Sequence, residues 1–272
     1  KLLTLEQIEV NLFRGVSPPD ERFRIFGGQV VAQALSAAYR TVEGRLCHSL
    51  QSYFIRPGDP SIPVLYQIER SRDGKSFATR RVIAIQKGEQ IFNMACSFQV
   101  PEDGLEHQSA IPLAPTPDEV PDDNERWKEM FKDQPQQLKN WVRDRPIEMR
   151  QVDPINMVKP LPAAPEHLVW FRTKGDAGDD IALNQTLLAY ASDFSLLGTA
   201  LRPHGKSMVR GDMRGSSLDH AIWFHRPVTC GDWLLYDVAC PSGSGATGFA
   251  NGRLFDVSGA LVASCAQEVL YR

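Results

Sequence analysis

The sequence repeats itself about 170 residues further along, and this internal repeat constrains the fold more than any other feature. Residues 50–57 read LQSYFIRP and residues 220–227 read HAIWFHRP, with an aromatic pair and an Arg-Pro pair at matching positions. At the same spacing, VLYQI at 64–68 aligns with LLYDV at 234–238. A nearly constant offset over about 50 residues indicates one structural unit that was duplicated within the chain.

Each repeat combines one helix with several strands. Residues 27–40 and 183–201 predict the two helices, and the first is apolar on almost every side, so it should be buried. The segments after the first helix are rich in β-branched and aromatic residues, and short turns around Gly88 and Gly259 join strands in the two repeats. Such short turns imply antiparallel pairing. We therefore predict an α+β fold with about five antiparallel strands wrapped around one helix in each unit.

A proline-rich connector separates the repeats. Eleven of the 19 prolines lie between Pro101 and Pro165. Within this stretch the sequence predicts an extended segment and then short surface helices that begin at about Asp122. The predicted organisation is an N-terminal unit at 1–110, a linker at 111–145 and a C-terminal unit at 146–272.

Charge and composition exclude several classes of protein. The chain has 30 Lys and Arg against 33 Asp and Glu, a net charge of −3, whereas nucleic-acid binders usually carry a basic excess. It has no apolar run long enough to span a membrane, and Glu6 and Glu9 interrupt any signal-peptide core. Five cysteines without a CxxC pair predict reduced core thiols in a cytoplasmic protein and no structural zinc site.

Three polar residues stand out in the apolar segments of the second repeat. Asp193 lies within LLAYASDFSLLG, where burying a carboxylate would be costly without partners. It either caps a helix or faces solvent, or it is a catalytic carboxylate. Ser217 and Gln267 fall at strand positions, where each is either a hydrogen-bonded strand residue or part of a site with Asp193.

Sequence motifs of other enzyme and metal-binding classes do not occur. The sequence has no GxSxG nucleophile elbow, no GxGxxG after a strand and no HExxH. His220 and His225 are five residues apart on a predicted strand, so they point to opposite faces and cannot hold a metal together. A basic cluster either meets phosphates or forms a solvated strand edge. It consists of Arg70, Arg72, Lys75, Arg80 and Arg81.

Several longer motifs together resemble the acyl-CoA thioesterase II family, the bacterial TesB type with peroxisomal relatives. The resemblance extends from about residue 8 to the C-terminus and is weakest in the connector. The matching stretches are FGGQVVAQAL, YFIRPGD, RDGKSFATRRVIAIQ, YASDFSLLGTAL, SLDHAIWFHRP, DWLLYDV and GRLFDVSGALVASCAQE. The resemblance implies a double hotdog fold, in which each of two tandem units wraps a curved antiparallel sheet around a long helix.

The resemblance also implies an activity and a set of catalytic residues. The family hydrolyses acyl-CoA to free fatty acid and CoA, without metal or organic cofactor. The catalytic Asp of the family corresponds to Asp193, its catalytic Ser or Thr to Ser217, and its catalytic Gln to Gln267. At the site that corresponds to Asp193, the first repeat has no acid and its helix carries Gln29 and Gln33 instead. We expect Asp193 to act as general base on a water that Ser217 and Gln267 orient.

Three rival interpretations stay open. In the first, the chain is a hotdog hydratase or dehydratase. In the second, it is a non-catalytic acyl-CoA-binding protein. In the third, it is a serine hydrolase that uses Ser217 with His220 or His225. The first is disfavoured because the helix around Asp193 contains no His. By resemblance we expect a role in fatty acid and lipid metabolism, acyl-CoA as the substrate partner, and a homodimer or higher homo-oligomer.

Overall fold

A computed structural model describes residues 2–18, 24–142, 145–175, 177–211 and 213–272. The strands are β1 (Glu6–Glu9), β2 (Leu12–Gly15), β3 (Leu46–Phe54), β4 (Val64–Asp73), β5 (Phe77–Gln86), β6 (Glu89–Gln99), β7 (Ile147–Gln151), β8 (Glu166–Thr173), β9 (Gly215–Ser217), β10 (Asp219–Phe224), β11 (Leu234–Ser244), β12 (Thr247–Asp256) and β13 (Leu261–Tyr271). The helices are α1 (Gly27–Tyr39), α2 (Asp123–Met130), α3 (Pro135–Trp141), α4 (Ile181–Ser192) and α5 (Leu196–Leu201). Within these ranges, no helix combines the length and apolar character needed to cross a membrane.

Residue contacts divide the chain into two compact units that are not continuous in sequence. The first unit comprises Lys1–His107, Asp179–Asp193 and Leu218–Pro227, and the second comprises Gln108–Gly178, Phe194–Ser217 and Val228–Arg272. Helix α4 and strand β10 therefore lie in the first unit, although both come late in the chain. The boundaries 1–110, 111–145 and 146–272 concern the duplicated sequence and stay a prediction.

The first unit is an antiparallel sheet that packs on helix α1. Its strand order is β1-β2-β4-β5-β6-β3-β10. Helix α1 contacts β3, β4, β5 and β6 on one side and α4 on another. Residues on nearly every side of α1 are buried, including Val31, Ala32, Ala34 and Leu35. The burial of α1 confirms the prediction that this helix is buried against an antiparallel sheet, and its packing against α4 is an additional feature.

The second unit contains the remaining antiparallel strands. Its strand order is β13-β12-β11-β8-β7, and β9 pairs with the far end of β13. Strand β11 begins 170 residues after β4, and β12 begins and ends 170 residues after β5. Gly88 and Gly259 have φ angles of 78° and 86° in the corresponding hairpin turns. The repeat in the sequence is thus a repeat of hairpins.

The connector covers one face of the second unit. Helices α2 and α3 confirm the predicted short helices, and the Asp122 side chain caps α2 by accepting a hydrogen bond from Asn124 N. Earlier in the connector, Ile111 and Ala114 pack against a buried cluster. The cluster consists of Val120, Trp170, Leu235 and Phe255. Trp170 Nε1 also donates to Pro115 O at 2.9 Å, which ties the connector to β8.

Four members of the basic cluster are exposed, as expected for solvated side chains, and Arg80 is the exception. Strand β5 lies between β4 and β6, and Arg80 is only 1% exposed. Its guanidinium donates to Thr41 Oγ1 at 2.9 Å and to Asp73 Oδ1 at 2.5 Å. Arg80 therefore neutralises its charge within the first unit, and the prediction of an exposed edge is wrong for this residue. Sequence alone could not show that the hydroxyl and carboxylate partners converge on it.

Candidate active site

Asp193 lies where one helix ends and another begins. The predicted helix over 183–201 is interrupted, because α4 ends at Ser192, Asp193 is its C-cap, and Ser195 adopts a left-handed φ of 72°. The Asp193 side chain is buried, with 8% exposure. Its Oδ2 accepts a hydrogen bond from Gly28 N at 2.7 Å, in the first turn of α1. Asp193 is thus both a capping residue and a buried carboxylate with a donor.

The N-terminus of α1 is built to receive this carboxylate. No side chain of its own caps the helix, and no acidic residue lies in its first turn. The first amides of a helix lack intrahelical partners, and its dipole favours a negative charge there. A Cβ on Gly27 would come within 2.8 Å of Asp193 Oδ2 and 2.9 Å of the Phe54 ring, so the glycine leaves room for both. The first repeat therefore supplies the donor and the space for Asp193.

Gln29 and Gln33 of the first repeat have structural hydrogen bonds instead. Gln29 Nε2 donates to Ser17 Oγ at 2.8 Å. Gln33 Nε2 donates to Leu2 O at 2.7 Å, and its Oε1 accepts from Tyr66 OH at 2.7 Å. These glutamines hold the N-terminal segment against α1, which accounts for amides at positions where the second repeat has an acid.

Ser217 and Gln267 lie together in the second unit. Ser217 ends β9 and Gln267 lies in β13, and Gln267 Nε2 donates to Ser217 Oγ at 2.8 Å. Gln267 is 1% exposed, whereas Ser217 is half-buried. The pairing of β9 with β13 brings these two residues into contact from 50 positions apart in the sequence. The amide fixes the orientation of the hydroxyl, because one lone pair of Oγ accepts its hydrogen.

One buried polar pair was not predicted from the sequence. Ser192 Oγ and His220 Nε2 are 2.8 Å apart, and both residues are fully buried. A Ser–His contact can indicate a nucleophile and its base. Here, however, Ser192 Oγ also lies 3.0 Å from Ala189 O, to which it donates its only hydrogen, and neither residue reaches the surface. Burial alternates along β10, and His220 shares the buried face of the strand with Ile222 and Phe224.

The structure brings Ser217 and Gln267 into contact in the second unit and places Asp193 in the first unit. Among the described residues, no group of three or more His, Cys, Asp or Glu side chains is placed to bind a metal ion. All five cysteines are buried and unpaired with one another, as predicted. The three candidate residues carry a carboxylate, a hydroxyl and an amide.

Comparison with solved structures identifies the fold class. Acyl-CoA thioesterase II TesB2 from Mycobacterium marinum has a TM-score of 0.81 and 41% identity, with coverage of 100% of this chain and 96% of that chain. A protein from Alicyclobacillus acidocaldarius described as having a hot dog fold has a TM-score of 0.77 at 17% identity, with coverage of 100% and 96%. The second likeness concerns the fold alone. Together they confirm the predicted α+β hotdog architecture.

Sequence comparison identifies the family. A family model described as Acyl-CoA thioesterase matches residues 144–270, and one described as Acyl-CoA thioesterase N-terminal domain matches residues 17–99. Acyl-CoA thioesterase 2 from Haemophilus influenzae is 42% identical over 277 residues, which is 100% of this chain and 96% of that protein. The chain belongs to the acyl-CoA thioesterase family. The predicted family and enzyme class, a hydrolase of acyl-CoA thioesters, are confirmed.

Proposed function

We propose that this chain hydrolyses fatty acyl-CoA by direct attack of a water molecule, which Asp193 activates and which Ser217 and Gln267 orient. The observation that carries this assignment is the hydrogen bond from Gln267 Nε2 to Ser217 Oγ, at 2.8 Å. Two residues singled out separately from the sequence thus form one polar unit. Burial of the Asp193 carboxylate beside the Gly28 amide gives it a fixed geometry, as a general base requires.

The proposed reaction begins with a proton transfer. Asp193 accepts one hydrogen of the water, and the Gln267 amide oxygen accepts the other. The Ser217 hydroxyl donates to the water oxygen, which leaves one lone pair to attack the thioester carbonyl. Holding the water in this way removes much of the entropic cost of the attack. Asp193 takes the proton as the C–O bond forms.

The second half of the reaction breaks the C–S bond. The tetrahedral intermediate collapses, and the CoA thiolate leaves with the electron pair of that bond. Asp193 returns the proton it took from water to the sulfur. The products are a fatty acid and CoA thiol, and the enzyme regains its starting protonation state.

Release of CoA thiol separates this proposal from two of its rivals. With a fatty acyl-CoA as substrate, we expect stoichiometric free thiol and fatty acid. An acyl-CoA-binding protein would retain the thioester without releasing thiol, and a hydratase or dehydratase would alter the acyl chain and leave the thioester intact. Either result would contradict the proposed hydrolysis.

Ser217 distinguishes attack by water from attack by serine. Mass spectrometry of enzyme quenched during turnover should detect no acyl group on Ser217. Replacing Ser217 with Ala should lower kcat by about 10- to 100-fold, because a water-orienting hydrogen bond is lost and the base remains. Ser216→Ala, at the neighbouring position of β9, is the matched control and should keep wild-type kcat. An acyl adduct, or complete loss of turnover in Ser217→Ala, would indicate a serine nucleophile instead.

We also propose that the protein acts in the cytoplasm, in fatty acid metabolism, as a homodimer or higher homo-oligomer. Five buried, reduced cysteines fit a reducing compartment. The similarity to a bacterial acyl-CoA thioesterase supports the same setting. Sedimentation of the purified chain should give a mass of at least twice 30.4 kDa. A monomer at micromolar concentration would contradict the oligomer.

A further inference from the structure

A buried hydrogen bond secures the end of the helix that presents Asp193. Ser192 is the last residue of α4 and precedes Asp193 directly. Its Oγ lies 2.8 Å from Nε2 of His220, and both side chains are 0% exposed. The assigned mechanism does not use either side chain. A polar pair that is fully removed from water needs a role in fixing structure or in function.

The Ser192 hydroxyl has a single hydrogen, and this determines the direction of its hydrogen bond with His220. Ser192 Oγ has a single hydrogen and lies 3.0 Å from Ala189 O, which can only accept. Ser192 therefore donates to Ala189 and accepts from His220, so the hydrogen of the imidazole is on Nε2. The serine hydroxyl thus connects the last turn of α4 to the imidazole ring.

The His220 ring projects from a firmly held strand. Strand β10 pairs with β3, and His220 lies opposite Ser52. Ser52 Oγ donates to the backbone oxygen of His220 at 2.8 Å. Three residues before His220 the chain reaches Ser217, at the end of β9. The hydrogen bond between Ser192 and His220 thus joins the segment that leads into Asp193 to the segment that follows Ser217.

We infer that His220 is a positioning residue for catalysis, which acts through Ser192 to hold Asp193 in its reactive position. A helix end is the part of a helix that frays most readily, and α4 stops at this point because Ser195 is left-handed. Without the imidazole, the last turn of α4 and the carboxylate that follows it would sample several positions. A misplacement of about 1 Å in a catalytic group can lower a rate about 100-fold. The inference rests on the proposed role of Asp193.

The experiment measures kcat and KM for CoA release by the intact chain of residues 1–272. His220→Leu removes the donor, Ser192→Ala removes the acceptor, and His220→Gln restores an amide N–H near the position of Nε2. We expect kcat to fall about 10- to 100-fold in His220→Leu and in Ser192→Ala, with KM changed less than about twofold. His220→Gln should regain most of the kcat. The double variant should be no slower than either single variant, because the two changes break one hydrogen bond.

Ser52→Ala is the matched control. It removes another buried hydrogen bond to the same residue, at the backbone oxygen, and leaves the imidazole in place. We expect its kcat to stay within about twofold of wild type at a comparable loss of thermal stability. A kcat loss in Ser52→Ala equal to that in His220→Leu would contradict the inference, since general weakening of β10 would then explain both.

Other results would contradict either the positioning role of His220 or the proposed function. Wild-type kcat in Ser192→Ala, or losses that multiply in the double variant, would contradict the positioning role. If His220→Leu fails to fold, Ser192→Ala and His220→Gln decide alone, because they change little volume. Asp193→Asn is measured alongside: loss of its activity together with normal His220 variants contradicts only this inference. Wild-type activity in Asp193→Asn would instead contradict the proposed function.

Discussion

Two glycines at the start of α1 hold the Asp193 carboxylate in different ways. Gly28 contributes its amide hydrogen, and Gly27 contributes the absence of a side chain, since a Cβ there would meet Asp193 Oδ2 at 2.8 Å. At this scale, the first repeat positions the candidate carboxylate through its backbone. The sequence placed all three candidate residues in the second repeat, and only the structure shows the contribution of the glycines.

Gly27→Ala tests this contribution. We expect kcat for CoA release to fall about tenfold or more, because the added methyl group displaces the carboxylate or the Phe54 ring. Gly198→Ala in α5 is the matched control: a Cβ there meets nothing within 4 Å, and alanine favours a helix over glycine. That variant should keep full activity. Wild-type kcat in Gly27→Ala, at unchanged thermal stability, would contradict the close fit around Asp193.

At the scale of single elements, α2 docks on β7 through a buried acid. Asp123 is 2% exposed, and its carboxylate accepts hydrogen bonds from Gln151 N at 3.1 Å and Gln151 Nε2 at 2.8 Å. Burial raises the pKa of Asp123 to about 6, although the hydrogen bonds from Gln151 and the charge of Arg126 oppose this rise. The connector helix is therefore held by a group that titrates close to neutrality.

The raised pKa of Asp123 makes the folded chain less stable as the pH rises. The folded chain holds the proton of Asp123 up to about pH 6, whereas an unfolded Asp releases it near pH 4. The stabilisation by the protonated form is complete below about pH 4 and is lost as the pH rises through 6. Over this range the loss corresponds to roughly 3 kcal/mol as an upper figure.

Asp123→Asn should remove this dependence. Urea unfolding at several pH values should show the free energy of unfolding of the variant increasing relative to wild type between about pH 4 and 7, and levelling off above. Asp133→Asn, at an exposed position nearby, is the matched control. A difference between Asp123→Asn and wild type that stays constant across this range would contradict a raised pKa of Asp123.

Some elements of the fold could be predicted from the sequence, and others could not. The helix over 27–40 and the paired hairpins were predictable, because a uniformly apolar helix and β-branched segments with glycine turns carry local signals. The break after Asp193 was not predictable, because apolar residues continue on both sides of it and the left-handed conformation of Ser195 has no signature in the composition. The burial of Arg80 depends on Thr41 and Asp73, which only the fold brings to it. Long-range partners of this kind also surround the candidate site residues, as Gly28 does for Asp193 and Gln267 does for Ser217.

At the scale of the whole molecule, the compact units do not follow the chain order. The first unit needs α4 and β10 from the later part of the chain, and α1 packs against α4 along one side. A fragment that ends at residue 107 would therefore expose the side of α1 that α4 covers. The two repeats of the sequence therefore do not correspond to segments that we expect to fold independently.

Cutting the chain between residues 107 and 108 tests this arrangement. We expect residues 1–107 expressed alone to aggregate or to lack a cooperative thermal transition, because burial of α1 is incomplete. Co-expression with residues 108–272 should restore a soluble complex that releases CoA from acyl-CoA. A cooperative transition in the isolated fragment, at the temperature of the intact chain, would contradict the grouping of α4 with the first unit.

The most direct measurement is the kcat for CoA release in Asp193→Asn. Asparagine keeps an oxygen that can accept from Gly28 N, but it cannot take a proton from water, so we expect kcat to fall about 100- to 10,000-fold. Asp180→Asn, the same change at the N-cap of the same helix, should stay within about twofold of wild type because both residues cap well. Asp193→Asn with a kcat near that of Asp180→Asn would contradict general-base catalysis by Asp193.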